Sequence, residues 1–274
     1  MLKQFYLKDR KQIAIDIKKF FKDDFFVRYP ELQKQVSIVI VGSVATANYD
    51  KYSDVDLDVI CSNKKDEKRI LKIIQSYKKE LRTRGIPMQI HAPRTYTEIE
   101  NQLSVWERDA MLREYSQAII VSDQGNRFKK IQNKYQWYPW HVFKEKLLWL
   151  FAEMIFEYEE RYSVAIRRKD FYFEEAIKMK ILRYLFAIIL LTNKKYPAFD
   201  KHVYQDILKV NKLPKDFLKV VNRLLRSHDF KKNKKLLLEI IGIVEDYLIK
   251  KRYIKKESRQ YWVDLRPKYK VEMK

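Results

Sequence analysis

The stretch SIVIVGSVATANYDKYSDVDLDVI, residues 37–60, decides how the N-terminal part of this chain folds. Its opening residues are β-branched and apolar, a pattern that predicts a buried strand over Val36–Val41. The strand runs into Gly42 and Ser43, residue types that favour a turn, and a brief helix is expected over Val44–Tyr49. A strand, a glycine-serine turn and a helix are therefore the first elements that the sequence predicts.

After the brief helix the chain returns as a second strand, with an aspartate at every second position. These residues are Asp54, Asp56 and Asp58. Because side chains alternate along a strand, the three carboxylates are expected on one face. Without a counter-charge they would repel one another, so the pattern indicates a cation at this face.

The turn and the aspartates suit the same chemistry. A strand that ends at Gly42 and Ser43 and continues into a helix presents backbone N–H groups and a hydroxyl to a phosphate. Mg²⁺ prefers oxygen ligands and commonly binds one or two carboxylates together with substrate phosphates. Two such ions stabilise the entering and leaving oxygens of an in-line phosphoryl displacement. The alternative is an exposed edge strand with solvated aspartates beside an ordinary turn.

Further strands and helices are expected to complete an α/β half. We expect helices over 10–25, 70–81 and 97–113, and strands over 57–60, 88–91 and 118–121. Gly85 and Pro87 predict the end of the second helix. Thr97, with Glu100 three residues later, predicts a capping box at the start of the third helix.

Beyond residue 140 the apolar residues follow helical spacing almost throughout. Helices are expected over 141–168, 171–193, 200–210, 214–226 and 232–255. The sequence thus predicts an α+β protein. A small mixed-sheet domain over 1–135 would be followed by an all-α helical-bundle domain over 136–274.

Composition favours a folded, soluble protein of the cytoplasm. Apolar residues make up 46% of the chain and aromatic residues 14%, which is typical of globular proteins. Cys61 is the only cysteine, so a disulfide framework and a cysteine-rich metal site are excluded. The most apolar window, 181–192, is too short to span a bilayer, and no membrane partner is expected.

The formal net charge of +22 has two interpretations. A basic surface attracts polyanions such as nucleic acid, and the C-terminal tail over 250–274 is rich in lysine and arginine. The alternative is a solvated, lysine-rich surface, which the spread of the charges along the chain favours.

The opening stretch also resembles a known signature. Gly42 and Ser43, ten intervening residues and then Asp54 and Asp56 are similar to the motif of the DNA polymerase β-like nucleotidyltransferase superfamily. The spacing is that of its minimal and antibiotic-modifying members. The resemblance implies that Gly42 and Ser43 hold the nucleoside triphosphate, and that Asp54 and Asp56 bind two Mg²⁺ ions.

The order of domains looks like that of lincosamide and aminoglycoside nucleotidyltransferases. In these enzymes a small, palm-like mixed sheet precedes a helical substrate-binding domain. The segment AIIVSDQGNRFKKI, residues 118–131, resembles a strand and turn found late in such catalytic domains. The motif is specific over about 25 residues. Across the rest of the N-terminal half the similarity is architectural, and over the helical half it is weak.

This sequence departs from the family pattern where a later strand usually supplies a third carboxylate. The corresponding strand, Pro87–Ala92, has no acidic residue. Asp58 is the expected third catalytic carboxylate beside Asp54 and Asp56. His91 is an alternative base, and so are Glu174 and Glu175 in the helical half.

A second departure concerns the neutralisation of the phosphates. Many relatives carry an arginine three residues after the serine, whereas this chain has Thr46. Lys51 or an arginine elsewhere in the chain must then neutralise the phosphates, and Lys51 is the expected nucleotide-binding cation.

The resemblance implies an enzyme that moves a nucleoside monophosphate from a nucleoside triphosphate such as ATP to a hydroxyl group, with release of pyrophosphate. The acceptor is expected between the two domains, and a small molecule such as an antibiotic fits the order of domains, hence a role in antibiotic resistance. Two alternatives stay open. The acceptor is a tRNA or a protein, as in nucleotidyltransferase toxins, or the domain is an inactive nucleotide-binding module.

Overall fold

The computed structural model describes residues 9–50, 52–83, 88–197 and 200–259. The chain separates into two compact units between Trp137 and Tyr138. Each unit is built around elements that are close in sequence.

The first unit combines short strands with helices of very different length. Its strands are β1 Val36–Ile40, β2 Val55–Cys61, β3 Met88–Ile90, β4 Arg94–Thr95 and β5 Ile119–Asp123. Its helices are α1 Arg10–Phe20, α2 Phe26–Arg28, α3 Leu32–Gln35, α4 Gly42–Ala45, α5 Lys64–Thr83, α6 Tyr96–Ser104, α7 Asp109–Gln117 and α8 Arg127–Lys134. A π-helical segment, Phe21–Phe25, joins α1 to α2.

The strands form one mixed sheet in the order β3-β2-β1-β5, and β4 also pairs with β2. Strand β1 is antiparallel to both β2 and β5. Strands β3 and β4 run parallel to β2 and follow one another along it. Strand β2 therefore lies inside the sheet. This excludes the alternative interpretation, in which the aspartates belong to an exposed edge strand.

Alternation along β2 separates an apolar face from a polar one. Val55, Leu57, Val59 and Cys61 are buried in the core that α1 and α5 cover. Asp56 and Asp58 therefore point to the opposite face. Aromatic residues pack together on the covered face. The ring centroids of Phe21, Phe25 and Tyr77 lie 4.9 to 6.5 Å apart.

The start of α6 corrects one detail of the predicted fold. The capping box is formed by Thr95 and Glu98, not by Thr97 and Glu100. The sequence contains both Thr-x-x-Glu frames, and Thr95 is selected because it already pairs with Cys61 of β2 and is buried.

The helix predicted over 97–113 is two helices, α6 and α7. Trp106 lies between them in the left-handed region, with φ +57°, and this conformation ends the first helix. Strand β4 was not predicted, since two residues give no periodic pattern. Gly85 and Pro87, the predicted end of α5, lie outside the described residues.

The second unit is helical over its described residues. Its helices are α9 Trp140–Phe156, α10 Ser163–Arg168, α11 Phe171–Thr192, α12 Asp200–Leu208, α13 Phe217–Leu225 and α14 Phe230–Lys250. A π-helical segment, Glu157–Tyr162, joins α9 to α10. Helix α11 is buried along most of its length, because apolar residues occupy all its faces from Ile181 onwards.

These elements confirm the predicted α+β fold class, with a small mixed sheet followed by a helical region. Among the described helices, none combines the length and the apolar character that crossing a membrane requires.

Candidate active site

The backbone of Gly42 lies against the carboxylate of Asp56. A Cβ atom at Gly42 would stand 2.5 Å from Asp56 Oδ2, closer than Cβ atoms in proteins approach another atom. Gly42 also has φ +66°, a conformation that L-residues other than glycine rarely adopt. One residue earlier, Val41 N–H donates to the carbonyl of Asp56 at 2.9 Å. The glycine is therefore required both by the turn and by its closeness to the aspartate.

The turn after β1 is held by its own hydrogen bonds. Thr46 donates its N–H and its hydroxyl to the carbonyl of Gly42, at 3.1 and 3.0 Å. Asn48 N–H donates to the carbonyl of Ser43 at 2.9 Å. The helix expected over Val44–Tyr49 is shorter, Gly42–Ala45, because Ala47 takes a positive φ of 58°. Thr46, at the position where the resemblance predicts an arginine, thus closes the turn.

Asp54 and Asp56 are accessible to solvent, in contrast to their neighbours on β2. Asp54 is exposed and immediately precedes the strand. Asp56 keeps 27% of its side chain exposed. Hydrogen bonds between Asp50 and Ser53, at 3.0 to 3.2 Å, fix the chain before Asp54. Lys51, the predicted nucleotide-binding cation, lies outside the described residues.

The end of β3 places His91 beside Asp56 and Asp58. Its N–H donates to the carbonyl of Leu57 at 2.9 Å, which extends the parallel pairing of β2 and β3. The imidazole Nδ1 lies 2.7 Å from Asp58 Oδ1, and Nε2 lies 3.4 Å from Asp56 Oδ1. The histidine therefore bridges the two carboxylates.

Asp58 is buried and bound on all sides. It is 3% exposed, and besides His91 its carboxylate contacts the guanidinium of Arg94 and the hydroxyl of Tyr115. Arg94 belongs to β4 and Tyr115 to α7, and the guanidinium also lies 5.5 Å from the centroid of the Tyr115 ring. Residues from β2, from the end of β3, from β4 and from α7 thus meet at the Asp58 carboxylate.

The comparisons with known proteins agree with this geometry. Residues 28–119 match the family model described as "Nucleotidyltransferase domain". This region of the chain is a nucleotidyltransferase domain. The predicted resemblance to the DNA polymerase β-like nucleotidyltransferase superfamily is confirmed.

Residues 107–203 match a second model, described as "Domain of unknown function (DUF4037)". Among solved structures, a nucleotidyltransferase-like protein from Exiguobacterium sibiricum 255-15 is similar, with 13% identity and a TM-score of 0.47. The match covers 89% of this chain and 80% of that chain. No curated protein matches the sequence.

Burial and the neighbouring groups of the nucleotidyltransferase domain act in opposite directions on the pKa of Asp58. Burial alone would raise the pKa of Asp58, but its hydrogen bonds with His91 and Tyr115 and the charge of Arg94 outweigh burial and lower it. The pKa of His91 is raised to about 9, first by Asp56 and then by Asp58. Near neutral pH and without metal, His91 is therefore an imidazolium between two carboxylates.

Glu114 is a carboxyl of the nucleotidyltransferase domain that sequence reasoning missed. It lies on α7, next to Tyr115, and is half-buried. Its pKa is raised by burial and by the charges of Asp58 and Asp56, which places it within the electrostatic reach of both. Nothing in the local sequence singles it out, because only the packing of α7 brings it there.

Glu174 and Glu175, the predicted alternative bases, belong to the helical unit. Glu174 is 1% exposed and accepts hydrogen bonds from the Tyr162 hydroxyl and, at 3.0 Å, from Asn233 Nδ2. Glu175 contacts the buried amine of Lys178. Glu174 is thus a core residue of its unit and not the solvated position that an amphipathic helix would give.

The donor set of the nucleotidyltransferase domain fits a divalent cation. Gly42 leaves room beside Asp56 Oδ2 that any side chain would fill, and carboxylate oxygens are the donors that Mg²⁺ prefers. Within the described part of the chain no group of three His, Cys, Asp or Glu side chains forms a ready-made metal cage. The remaining ligands would come from water and substrate phosphates, as is usual for Mg²⁺.

Proposed function

We propose that this protein transfers a nucleoside monophosphate from a nucleoside triphosphate to a hydroxyl group. The observation that carries the proposal is the contact between the Gly42 backbone and the Asp56 carboxylate, inside the region that matches the nucleotidyltransferase model. The contact places a glycine-serine turn and an accessible carboxylate at one point. This is the arrangement that a metal-bound triphosphate needs.

In the proposed reaction the acceptor oxygen forms a bond to the α-phosphorus. The bond from that phosphorus to the oxygen bridging to the β-phosphate breaks, and pyrophosphate leaves with the bonding electrons. Gly42 and Ser43 hold the phosphates, and Asp54 and Asp56 hold Mg²⁺. The bound ions, two by analogy with the superfamily, would neutralise the charge that develops on the phosphates.

The hydroxyl proton must pass to a base as the new bond forms. Asp58 is poorly placed for this role, because it is 3% exposed and its oxygens already contact His91, Arg94 and Tyr115. We assign Asp58 the task of positioning His91 instead. Glu114 is the proposed base, since its carboxyl is half-buried, lies near both aspartates and has a raised pKa.

A small molecule such as an antibiotic is the proposed acceptor, which would make the protein a resistance factor. A polycationic aminoglycoside fits poorly with a chain of net charge +22, and a less charged antibiotic or metabolite fits better.

The test is pyrophosphate release from each of the four nucleoside triphosphates with Mg²⁺. A lincosamide, an aminoglycoside and bulk tRNA serve as candidate acceptors, and the Asp56→Asn variant as the blank. Release that requires one acceptor and is lost in the variant supports the proposal and identifies the acceptor class. Nucleotide binding without release for any acceptor would favour an inactive nucleotide-binding module.

One observation favours RNA as a second candidate acceptor. A shallow pocket of about 380 Å³ on the first unit is lined by basic and aromatic residues of α6 and α8. The lining residues are Tyr96, Glu100, Arg127, Lys130, Ile131 and Lys134. Lys134 pairs with Glu100 at 2.6 Å, which leaves two cations to attract phosphate groups.

The RNA alternative is tested by the salt dependence of tRNA binding, measured by fluorescence anisotropy. The variant Arg127→Glu/Lys130→Glu reverses two charges of the pocket. The variant Lys234→Glu/Lys235→Glu makes the same change on exposed positions of α14 and is the matched control. Weaker binding and a smaller salt slope in the first variant alone would favour RNA; equal losses in both would indicate a diffuse basic surface.

A further inference from the structure

The two nitrogens of His91 have different environments. Nδ1 lies 2.7 Å from Asp58 Oδ1, within normal hydrogen-bond distance. Nε2 lies 3.4 Å from Asp56 Oδ1, and 41% of the side chain is exposed. Nδ1 is thus occupied by Asp58, and Nε2 is the nitrogen that lies beside the accessible carboxylate of Asp56.

Asp58 fixes this orientation. Its carboxylate is held in place by Arg94 and Tyr115 and is 3% exposed. A carboxylate that accepts the Nδ1–H of a histidine sets the tautomer and directs Nε2 outward, and metal-binding histidines in proteins are commonly supported in this way. The arrangement of Asp58, His91 and Asp56 has this form.

The distance between the two candidate ligand atoms also suits a shared cation. Metal bonds of about 2.1 Å to nitrogen and oxygen place neighbouring ligand atoms about 3.0 to 3.4 Å apart, depending on the coordination geometry. His91 Nε2 and Asp56 Oδ1 are 3.4 Å apart before any ion binds. Coordination of one ion then requires a small movement of the side chains and the release of the proton on Nε2.

We propose that His91 Nε2 and Asp56 bind the same divalent cation, so that this site has a nitrogen ligand as well as carboxylate oxygen. The proposal deepens the proposed function and rests on its metal site. Imidazole nitrogen suits the later first-row ions best, and Mn²⁺, although it also favours oxygen, accepts a nitrogen ligand more readily than Mg²⁺ does. We therefore expect the site to prefer Mn²⁺ to Mg²⁺, with Asp58 acting behind the histidine as its positioning residue.

The test is pulsed electron paramagnetic resonance of Mn²⁺ bound to the full-length protein, because the method detects a coordinated imidazole nitrogen directly. Wild type is compared with His91→Gln, with Asp56→Asn and with His141→Gln, a control on an exposed histidine of α9. We expect nitrogen coupling in wild type and in the control, and its loss in His91→Gln. Asp56→Asn should lose the bound ion.

A second variant tests whether the ligand at position 91 sets the metal preference, even if the loss of His91 lets the metal site rearrange. His91→Asp replaces the nitrogen donor at this position by an oxygen donor. We expect the ratio of the Mg²⁺ to the Mn²⁺ dissociation constant to fall relative to wild type. Asp58→Asn should weaken Mn²⁺ binding about tenfold or more, as losses behind a metal ligand do.

The outcomes separate this proposal from the proposed function. Asp56-dependent Mn²⁺ binding without nitrogen coupling, or with coupling unchanged in His91→Gln, would overturn the role of His91 and leave nucleotidyl transfer standing. Nitrogen coupling lost in His91→Gln, together with no transfer to any acceptor, would support the metal site and count against the enzyme. Absence of Asp56-dependent Mn²⁺ binding in wild type would overturn the proposal outright.

Discussion

Asp58 and His91 are joined by a 2.7 Å contact between a carboxylate that is 3% exposed and an imidazole that is partly open to solvent. The buried partner cannot turn, because Arg94 and Tyr115 hold its other oxygen. A change at Asp58 is therefore transmitted to His91 and, through Nε2, to Asp56.

The first prediction concerns the stability that this buried carboxylate contributes. Asp58→Asn removes the charge that faces Arg94 and His91, and we expect the free energy of unfolding to fall by about 1–3 kcal/mol. Asp54→Asn changes an exposed residue and should cost less than about 0.5 kcal/mol. Urea unfolding in the absence of metal measures both. Equal stability of the two variants would contradict the buried network.

The second prediction is a pH dependence of the metal-free protein. The pKa of His91 is raised from 6.5 to about 9, so its protonated form stabilises the folded state. This contribution is fully present below pH 6.5 and is lost as the pH rises through about 9. We expect the stability of wild type relative to His91→Gln to fall across that window.

Nuclear magnetic resonance of the imidazole checks the same point directly. The His91 resonance, assigned by its absence in His91→Gln, should titrate near pH 9 in wild type. It should titrate at lower pH in Asp56→Asn, because Asp56 is the largest cause of the raised pKa. A titration near 6.5 in both proteins would show that the imidazole does not bridge the carboxylates.

Much of the fold follows from local sequence patterns. The strands around Gly42 and the long amphipathic helix α5 have strong periodicity, and their existence was predicted. The neighbours of Asp58 were not predicted, since Arg94 and Tyr115 lie 36 and 57 residues away in sequence and have no motif of their own. Such contacts are set by tertiary packing, which a single sequence does not display.

In the candidate site, too, the local motif was predicted from the sequence, and the contacts set by tertiary packing were not. The sequence pattern places Gly42 and Asp56 in one motif, and the structure brings the two into contact. The catalytic and metal-binding roles of Asp54 and Asp56 stay predictions, as does the catalytic role predicted for Asp58, in place of which we propose that Asp58 positions His91. Glu114 was missed because it comes from a helix with no signature. Glu174 was considered because the predicted strand over 87–92 has no acidic residue, and its burial could not be seen from the sequence alone.

The third prediction concerns the space beside Asp56. In Gly42→Ala the new Cβ would stand 2.5 Å from Asp56 Oδ2, so the carboxylate or the turn must move. We expect loss of pyrophosphate release and a loss of stability beyond the roughly 1–2 kcal/mol that a left-handed alanine costs.

Gly125→Ala is the matched control for this change. Gly125 also has a positive φ, of 81°, but a Cβ there meets nothing within 4 Å. It should show the strain alone, with transfer activity retained. Similar activity in both variants would mean that the closeness of Gly42 and Asp56 has no functional consequence.

The fourth prediction tests Glu114 as the base. Glu114→Gln should lower kcat about a hundredfold or more, while KM for the nucleoside triphosphate stays near that of wild type. Glu107→Gln, an exposed position just before α7, is the control and should retain activity. The basic limb of the pH–rate profile should be unaffected and the acidic limb lost in Glu114→Gln. An unchanged acidic limb would assign the proton to another group.

The last prediction concerns the two overlapping Thr-x-x-Glu frames at the start of α6. Thr95 accepts a hydrogen bond from the N–H of Glu98 at 3.2 Å, and Glu98 in return accepts from the N–H of Thr95 at 2.8 Å. Thr95→Ala should therefore lower the free energy of unfolding by about 1 kcal/mol, the usual worth of such a cap. Thr97 is exposed and lies one position inside the helix, so Thr97→Ala should change stability by less than about 0.5 kcal/mol.

Urea unfolding of the two alanine variants under one set of conditions decides between the frames. The larger loss in Thr95→Ala would show that the helix begins where β4 ends, since Thr95 belongs to both. A shift in the start of α6 would also move Arg94, the residue before Thr95, away from Asp58. A larger loss in Thr97→Ala would therefore place the cap two residues later and question the network around Asp58.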